Sequence, residues 1–292
     1  MAPVPSAVTP SLNIAYEERN PAANDVVVFL HGFPDDARTW DAVLAAPELA
    51  DRRTIVPWLR GYGATTFRDP AAPRTAQAGA LARDVVDLLD ALDIARCTLV
   101  GHDWGARAAY GAAILAPERF SRGVALSVGY GTNVASQAMS FDQAAHYWYQ
   151  WFFATSRGEQ ALRDDRRALC RYLWRTWSPS WRFTDEEYER TAVAFDNPDF
   201  ADVVLHSYRS RWGFAPPDPR YAADDAALAN TPPVPVPTHV LHGDEDGATL
   251  LEATAGCERY FPAGYEREVV AGVGHFVQRE RPAVVAAAIV RA

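Results

Sequence analysis

Gly101-His102-Asp103-Trp104-Gly105 follows the short apolar run Cys97–Val100 and precedes a run of small residues at Ala106–Leu115. This order predicts a strand, a sharp turn and a helix. The pattern Gly-x-nucleophile-x-Gly at such a junction is typical of a nucleophile elbow, because glycines permit a strained turn and close packing of strand on helix. The central residue is an aspartate, whose carboxylate is ionised at neutral pH and needs no base to activate it.

An aspartate nucleophile suits attack on a saturated carbon, which leaves an alkyl ester on the protein, whereas a serine suits acyl transfer. On its own, this motif would favour Asp103 as the N-cap of the helix that follows, since aspartate caps helices well. Two other segments favour the chemical interpretation. The apolar run Val26–Leu30, typical of a strand buried on both faces, ends in His31-Gly32-Phe33-Pro34. Near the C-terminus, Val273-Gly274-His275-Phe276 follows the strand-like run Tyr265–Val270.

Together the three motifs resemble the α/β-hydrolase superfamily, and the resemblance covers nearly the whole chain. It implies an α/β-hydrolase fold, with a mostly parallel sheet flanked by helices and a helical cap inserted between strands. It also implies a catalytic triad in which Asp103 is the nucleophile and His275 the base. The backbone N–H groups of Phe33 and Trp104 would then form the oxyanion hole.

The triad acid is expected just after Leu241, where the chain has Asp244, Glu245 and Asp246. The family usually shows Gly-x-x-Asp at this turn, which selects Asp246. Asp244 is the alternative, since it could instead cap the turn. Some relatives place the acid after the preceding strand, but residues 127–133 contain no carboxylate.

The organisation of the chain indicates one α/β domain with an insertion. Apolar runs alternate with amphipathic ones in the first half, which predicts a parallel sheet covered by helices on both sides. After about residue 130 the strand patterns disappear and the sequence becomes aromatic and helical. Proline runs at residues 216–219 and 231–237 precede the return of strand patterns. We therefore predict a core of residues 1–129 and 231–292 and a helical cap of residues 130–230.

Two tyrosines of the predicted cap favour epoxide opening. The family's epoxide hydrolases carry one tyrosine in a Tyr-Gln-x-aromatic-Phe run and one before an arginine, and Tyr149-Gln150-Trp151-Phe152-Phe153 and Tyr208-Arg209 match both. Phenols stay protonated at neutral pH and can hold the oxygen of an opening ring. The resemblance thus implies an epoxide hydrolase that forms a vicinal diol through an alkyl ester on Asp103. Substrate contacts are expected from His31, Gln150, Trp151 and Phe276.

A dehalogenase with the same nucleophile is the first alternative. Fluoroacetate-type relatives clamp a carboxylate with two arginines, directly after the nucleophile and three residues beyond, whereas this chain has Trp104 and keeps only Arg107. Haloalkane-type relatives favour Asn after His-Gly, where this chain has Phe33. An alternative of another class is a non-catalytic hydrolase-fold protein that binds a small ligand. The nucleophile, histidine and acid candidates argue against it.

Composition excludes several further classes. All 28 basic residues are arginines, and the missing lysine excludes Schiff-base, pyridoxal-phosphate and P-loop enzymes. The net charge of −9 argues against a nucleic-acid partner, and no apolar run approaches the roughly 20 residues of a membrane helix. The N-terminus lacks a signal-peptide pattern, and three scattered cysteines suggest buried thiols in a reducing cytoplasm. We expect a cytoplasmic enzyme without cofactor or metal, acting on a small-molecule substrate; its oligomeric state stays open, with a homodimer as the candidate.

Overall fold

The computed structural model describes residues 4–132 and 138–291. The strands in these residues are β1 (Ser6–Val8), β2 (Leu12–Arg19), β3 (Val26–Leu30), β4 (Arg53–Pro57), β5 (Thr66–Phe67), β6 (Cys97–His102), β7 (Phe120–Leu126), β8 (Thr238–Gly243) and β9 (Tyr265–Val270). The helices are α1 (Asp41–Leu44), α2 (Ala78–Ala91), α3 (Trp104–Leu115), α4 (Phe141–His146), α5 (Trp148–Phe153), α6 (Ser156–Asp164), α7 (Arg166–Trp177), α8 (Asp185–Ala192), α9 (Phe200–Arg211), α10 (Ala222–Leu228), α11 (Val277–Glu280) and α12 (Pro282–Val290).

The strands form one sheet in the order β1-β2-β4-β3-β6-β7-β8-β9, and β5 also pairs with β2. Strands from β4 to β9 along this order are parallel, whereas β2 is antiparallel to β1, β4 and β5. The central strands β3, β6 and β8 are buried along their whole length, as their apolar sequences predict. The mostly parallel α/β fold expected from the sequence is confirmed.

The carboxyl ends of β3, β6 and β8 lie at the same edge of the sheet, because these strands are parallel. The segment after β3 begins with His31, that after β6 with Asp103, and that after β8 leads to Asp246. In open α/β sheets this edge is where ligands bind. The fold therefore brings together three sequence motifs that are far apart in the chain.

The predicted cap spans residues 130–230, of which residues 133–137 lie outside the described part of the chain. Its described residues after β7 form helices α4 to α10 and no strand. The last of these, α10, packs on the core helices α2 and α3, where Asp224 pairs with Arg83 and Asp225 accepts the Gly79 N–H. The boundaries of the cap as a domain remain a prediction.

Strand and helix boundaries differ from the sequence predictions by up to two residues. The helix predicted at Ala106–Leu115 begins two residues earlier, at Trp104, and the strand predicted at Cys97–Val100 continues two residues further, to His102. The neighbouring strand β7 ends at Leu126, because Ser127 adopts a left-handed backbone conformation with φ of 64°. No helix within the described residues is long and apolar enough to span a membrane.

Candidate active site

Asp103 lies at the junction of β6 and α3 in a strained backbone conformation, with φ of 48° and ψ of −112°. The two glycines beside it allow this turn. A Cβ at Gly105 would lie 2.1 Å from the Leu30 carbonyl oxygen, and one at Gly101 would lie 2.3 Å from the Gly105 carbonyl oxygen. Only glycine fits where the backbones of α3 and the neighbouring strands approach so closely.

The Asp103 carboxylate is positioned between a backbone donor and a histidine. The Phe33 N–H donates to Asp103 Oδ1 at 3.0 Å, while Oδ2 lies 3.9 Å from His275 Nε2. The aspartate is buried, with 7% of its surface exposed. Trp104 follows as the first residue of α3, and its N–H therefore has no acceptor within its own helix. Of the two predicted oxyanion donors, the Phe33 N–H therefore contacts the carboxylate, and the Trp104 N–H directly follows Asp103 in the chain.

Asp246 orients the ring of His275. His275 Nδ1 donates to the Asp246 carboxylate at Oδ2, 2.8 Å away, so that in the neutral ring Nε2, which faces Asp103, is the nitrogen able to accept a proton. Asp246 Oδ1 accepts the N–H groups of Ala248 and Thr249, each at 2.8 Å. Burial disfavours charge on both side chains, but their mutual attraction prevails, so the pKa of Asp246 is lowered and the pKa of His275 is raised. A carboxylate beside a histidine is the arrangement that a general base needs.

The alternative acid, Asp244, points elsewhere. Its side chain is exposed, and its Oδ1 accepts the N–H of Gly272 at 2.7 Å. It therefore caps the turn, whereas Asp246 reaches His275. Gly243 permits this approach of the two loops, because a Cβ there would lie 2.2 Å from the Val273 carbonyl oxygen.

The backbone of His275 is held by three residues that the sequence reasoning did not identify. Its N–H donates to the Trp177 carbonyl at 3.0 Å, and its carbonyl accepts from Ser127 Oγ at 2.6 Å and from His102 Nε2 at 3.0 Å. The Trp177 ring also contacts the His275 and Tyr149 rings, with centroids 5.0 and 4.9 Å apart. The predicted cap contains many aromatic residues, and no local motif distinguished Trp177 from the others.

Tyr149 and Tyr208 meet beside the nucleophile. Their rings are perpendicular, with centroids 5.3 Å apart, and both side chains are buried. The Tyr149 hydroxyl accepts from Gln150 Nε2 and the Tyr208 hydroxyl accepts from Trp104 Nε1, each at 3.1 Å. Each hydroxyl hydrogen therefore stays available to donate to a ligand. Burial, reinforced by the negative charge of Asp103, raises the pKa of both phenols and keeps them protonated.

His31, one of the expected substrate contacts, forms hydrogen bonds to backbone groups of the protein itself. Its Nδ1 donates to the Gly32 carbonyl at 3.1 Å, and its Nε2 accepts the Leu59 N–H at 3.0 Å. The side chain is fully buried, and this burial lowers its pKa to about 4. Both ring nitrogens are therefore occupied by backbone groups, and His31 positions the loop that carries Phe33.

Trp151 and Phe276, two further expected substrate contacts, pack against other side chains of the protein. Trp151 packs on Trp212 and donates from Nε1 to the Ala144 carbonyl, because it lies on a different face of α5 from Tyr149. Phe276 is fully buried behind His275, against the rings of cap tryptophans. Gln150, the fourth expected contact, orients the Tyr149 hydroxyl.

A metal site is not formed by the side chains described. Within residues 4–132 and 138–291, no group of three or more His, Cys, Asp or Glu side chains is arranged to hold a metal ion.

Comparison with known proteins agrees with this architecture. Residues 25–282 match the family model described as alpha/beta hydrolase fold. An epoxide hydrolase of Caballeronia sordidicola is 30% identical, over 96% of this chain and 90% of its own length. Epoxide hydrolase 3 of Siraitia grosvenorii is 41% identical, over 88% of each chain.

A solved structure agrees as well. A Klebsiella pneumoniae protein that is proposed to be an epoxide hydrolase has a TM-score of 0.93 and 36% identity, covering 98% of this chain and 96% of its own. Bacillus megaterium epoxide hydrolase shares the fold, with a TM-score of 0.80 at 21% identity over 97% and 98% of the two chains. This chain therefore belongs to the alpha/beta hydrolase family.

Proposed function

We propose that this protein is an epoxide hydrolase that adds water to an epoxide and releases a vicinal diol. The observation that carries the proposal is the pair of tyrosine hydroxyls beside Asp103, each already accepting one hydrogen bond and free to donate another. The similarity to epoxide hydrolases over most of the chain supports the same reaction.

In the first step, Asp103 Oδ2 attacks the less hindered carbon of the epoxide. The carbon–oxygen bond of the ring breaks, and the ring oxygen takes its electron pair. Tyr149 and Tyr208 donate hydrogen bonds to that oxygen and supply the proton that makes it a hydroxyl group. The product of this step is an alkyl ester on Asp103.

In the second step, His275 Nε2 removes a proton from water, and the resulting hydroxide attacks the ester carbonyl. The carbonyl oxygen is Asp103 Oδ1, which Phe33 already contacts through its N–H at 3.0 Å. The Trp104 N–H is the second donor to the oxyanion, and one such donor is worth roughly 3–4 kcal/mol in well-measured cases. Asp246 stabilises the imidazolium. Collapse of the tetrahedral intermediate breaks the bond between the carboxyl carbon of Asp103 and the ester oxygen. The leaving alkoxide takes the proton that the hydroxide brought to the carboxyl group, which releases the diol and restores the Asp103 carboxylate. The proton held by His275 returns to the phenol.

The test is trapping of the ester. His275→Gln should still be alkylated by styrene oxide, because attack by Asp103 needs no base, and intact-mass spectrometry should show one adduct that maps to Asp103. Asp103→Asn is the matched control and should show none. Wild-type activity should be assayed on styrene oxide, fluoroacetate and 1-chlorobutane in parallel. Halide release without epoxide turnover would replace the proposal by the dehalogenase alternative, and no turnover or adduct with any compound would favour a binding protein.

We also propose a cytoplasmic location and a small-molecule substrate, without a nucleic-acid or membrane partner. The net charge of −9 and three free, buried cysteines support this proposal. A homodimer is the state to test, by light scattering coupled to size-exclusion chromatography. A measured mass equal to that of a single chain, at every protein concentration tested, would exclude the homodimer.

A further inference from the structure

A cavity of about 340 Å³ lies between the core helices α2 and α3 and the cap helix α9. Along α3 it follows one helix face, from Arg107 to Ile114, which is about 10 Å at 1.5 Å per residue. Most of its walls are apolar, including Leu81 and Leu228, but two arginines, Arg107 and Arg211, also line it. Such a lining suits an organic molecule with an anionic group.

Neither arginine is neutralised by a carboxylate. In the described residues no carboxylate oxygen lies within 4.0 Å of the Arg107 or Arg211 guanidinium, and residues 133–137 contain no acidic side chain. Asp225, also in the lining, is already engaged, since it accepts from the Gly79 N–H at 2.8 Å and from Gln77 Nε2 at 2.6 Å. This is unusual in a protein where most buried arginine charge is paired, as in Arg60 with Asp84 and Arg279 with Asp35.

The donors of the pair are only partly used. Arg107 donates from Nη1 to the Thr132 carbonyl at 2.7 Å and makes a long contact, 3.4 Å, from Nη2 to Thr132 Oγ1. Its Nε is shielded from solvent and has no partner among the described residues. Arg211 lies over the Tyr208 ring at 5.0 Å and makes one long contact, 3.4 Å, to Ser207 Oγ. Burial and then the charge of Arg107 lower the pKa of Arg211, and an anion bound beside it would favour its charged form.

The arginine pair lies beside the proposed active site. Arg107 is four residues after Asp103 at the start of α3, and Arg211 is three residues after Tyr208 on α9. One helical turn, about 5.4 Å, therefore separates each arginine from a residue of the reaction site. Ser207, which precedes Tyr208 in α9, also lines the cavity.

We propose that Arg107 and Arg211 bind the carboxylate of the substrate, so that the preferred substrates are epoxides carrying a carboxylate on a short carbon chain. The inference rests on the proposed epoxide hydrolase function. Two guanidiniums from different helices hold one carboxylate through charge-assisted hydrogen bonds, which position the ring near Asp103. The apolar face of α3 accommodates any further carbon chain.

A matched pair of substrates tests this assignment. We expect the wild-type protein to show a kcat/KM for 5,6-epoxyhexanoate about 10- to 100-fold above that for 5,6-epoxyhexanamide, which has the same shape without the charge. In Arg211→Met and Arg107→Met this preference should fall to near one, mainly through KM. Arg157→Met, which removes an exposed charge of the cap outside the cavity, should keep the preference.

Direct binding separates failure of this inference from failure of the proposed function. Calorimetry on the wild-type protein should detect hexanoate but not hexanamide at the same concentration, whether or not any epoxide is turned over. Turnover of styrene oxide with no preference for the acid, or equal binding of the two hexanoic derivatives, would overturn the carboxylate assignment and leave the proposed reaction intact. Loss of hexanoate binding in Arg211→Met and its retention in Arg157→Met would support the assignment even if epoxides are not substrates.

Discussion

Two side chains determine which hydrogen bonds the hydroxyl groups of Tyr149 and Tyr208 can still form. Trp104 donates its indole N–H to Tyr208, and Gln150 donates to Tyr149. Gln150 is fixed in turn, because its Oε1 accepts from Trp212 Nε1 at 2.8 Å. Each phenol oxygen is thus held as an acceptor, and its hydrogen is directed to the ligand. The sequence motif Tyr-Gln around Tyr149 therefore contains both the donor and the residue that orients it.

Removal of the tyrosine hydroxyls should identify the reaction. Tyr149→Phe and Tyr208→Phe keep the ring packing, so each should lower the rate of ester formation from an epoxide by about 10²-fold, and the double variant by about 10⁴-fold. Single-turnover measurement of the Asp103 adduct reports this step alone. A double variant that opens epoxides at near the wild-type rate would contradict the role of these phenols.

The pH dependence of ester hydrolysis tests which aspartate is the acid of the triad. Hydrolysis of the ester requires neutral His275, so its rate should fall as pH drops through the raised pKa of His275, above the ordinary value of 6.5. Asp246→Asn should slow hydrolysis by up to about 10⁴-fold and shift the remaining profile to lower pH, because the carboxylate that raises this pKa is lost. Asp244→Asn should leave rate and profile close to wild type, and the reverse result would exchange the two roles.

Residue patterns predicted the reacting groups better than their surroundings. Asp103, His275 and the Gly-x-x-Asp turn follow strands of the core, where local sequence fixes position, and the structure brings them together. The substrate contacts His31, Trp151 and Phe276 could not be judged this way, since the direction of a side chain depends on what packs against it. Trp177 and Arg211 were not predicted as site residues for the same reason, because their neighbours come from distant parts of the chain.

At the scale of elements, one buried ion pair joins the loops around the site. Arg279 on α11 donates from Nε and Nη2 to Asp35, two residues beyond Phe33, at 2.9 and 2.5 Å. It also contacts the cap, through Thr191 Oγ1 at 2.8 Å and the Trp174 ring at 4.6 Å. The oxyanion loop, the segment after His275 and the cap are therefore fixed to one guanidinium. Sequence alone gives no sign of this contact, since 244 positions separate the two charges.

Loss of this arginine should destabilise the protein strongly. Arg279→Met fills similar space but leaves Asp35, which is fully buried, without its counterion, so the free energy of unfolding should fall by about 3–5 kcal/mol. Arg291→Met is the control, because Arg291 pairs with Glu266 at the surface and should matter by less than about 1 kcal/mol. Urea unfolding followed by circular dichroism measures the free energy of unfolding of each variant. An equal loss in Arg279→Met and Arg291→Met would contradict the role of the buried pair in joining these elements.

At the scale of the whole molecule, the described cap helices and the core share their interior. Trp174 on α7 donates to the Pro34 carbonyl of the core at 2.7 Å, and Phe33 of the core packs against Tyr149, Phe153 and Phe200. The apolar residues of both parts form a single buried cluster. Opening the cap would expose this cluster to water, so we expect cap and core to unfold together.

The three cysteines allow this expectation to be measured in the native sequence. Cys97 lies in β6 of the core and Cys170 in α7 of the cap, both buried, and burial raises the pKa of Cys97 to about 12 and also raises that of Cys170. Cys257 is buried as well, with a pKa raised by burial. Because the thiolate is the reactive form, iodoacetamide should label none of them in the folded protein.

In a urea series, pulse labelling read by peptide mass spectrometry should show Cys97 and Cys170 reacting at the same midpoint. Labelling of Cys170 at clearly lower urea than Cys97 would show instead that the cap opens as a separate unit, since only exposure of its own interior could release that thiol.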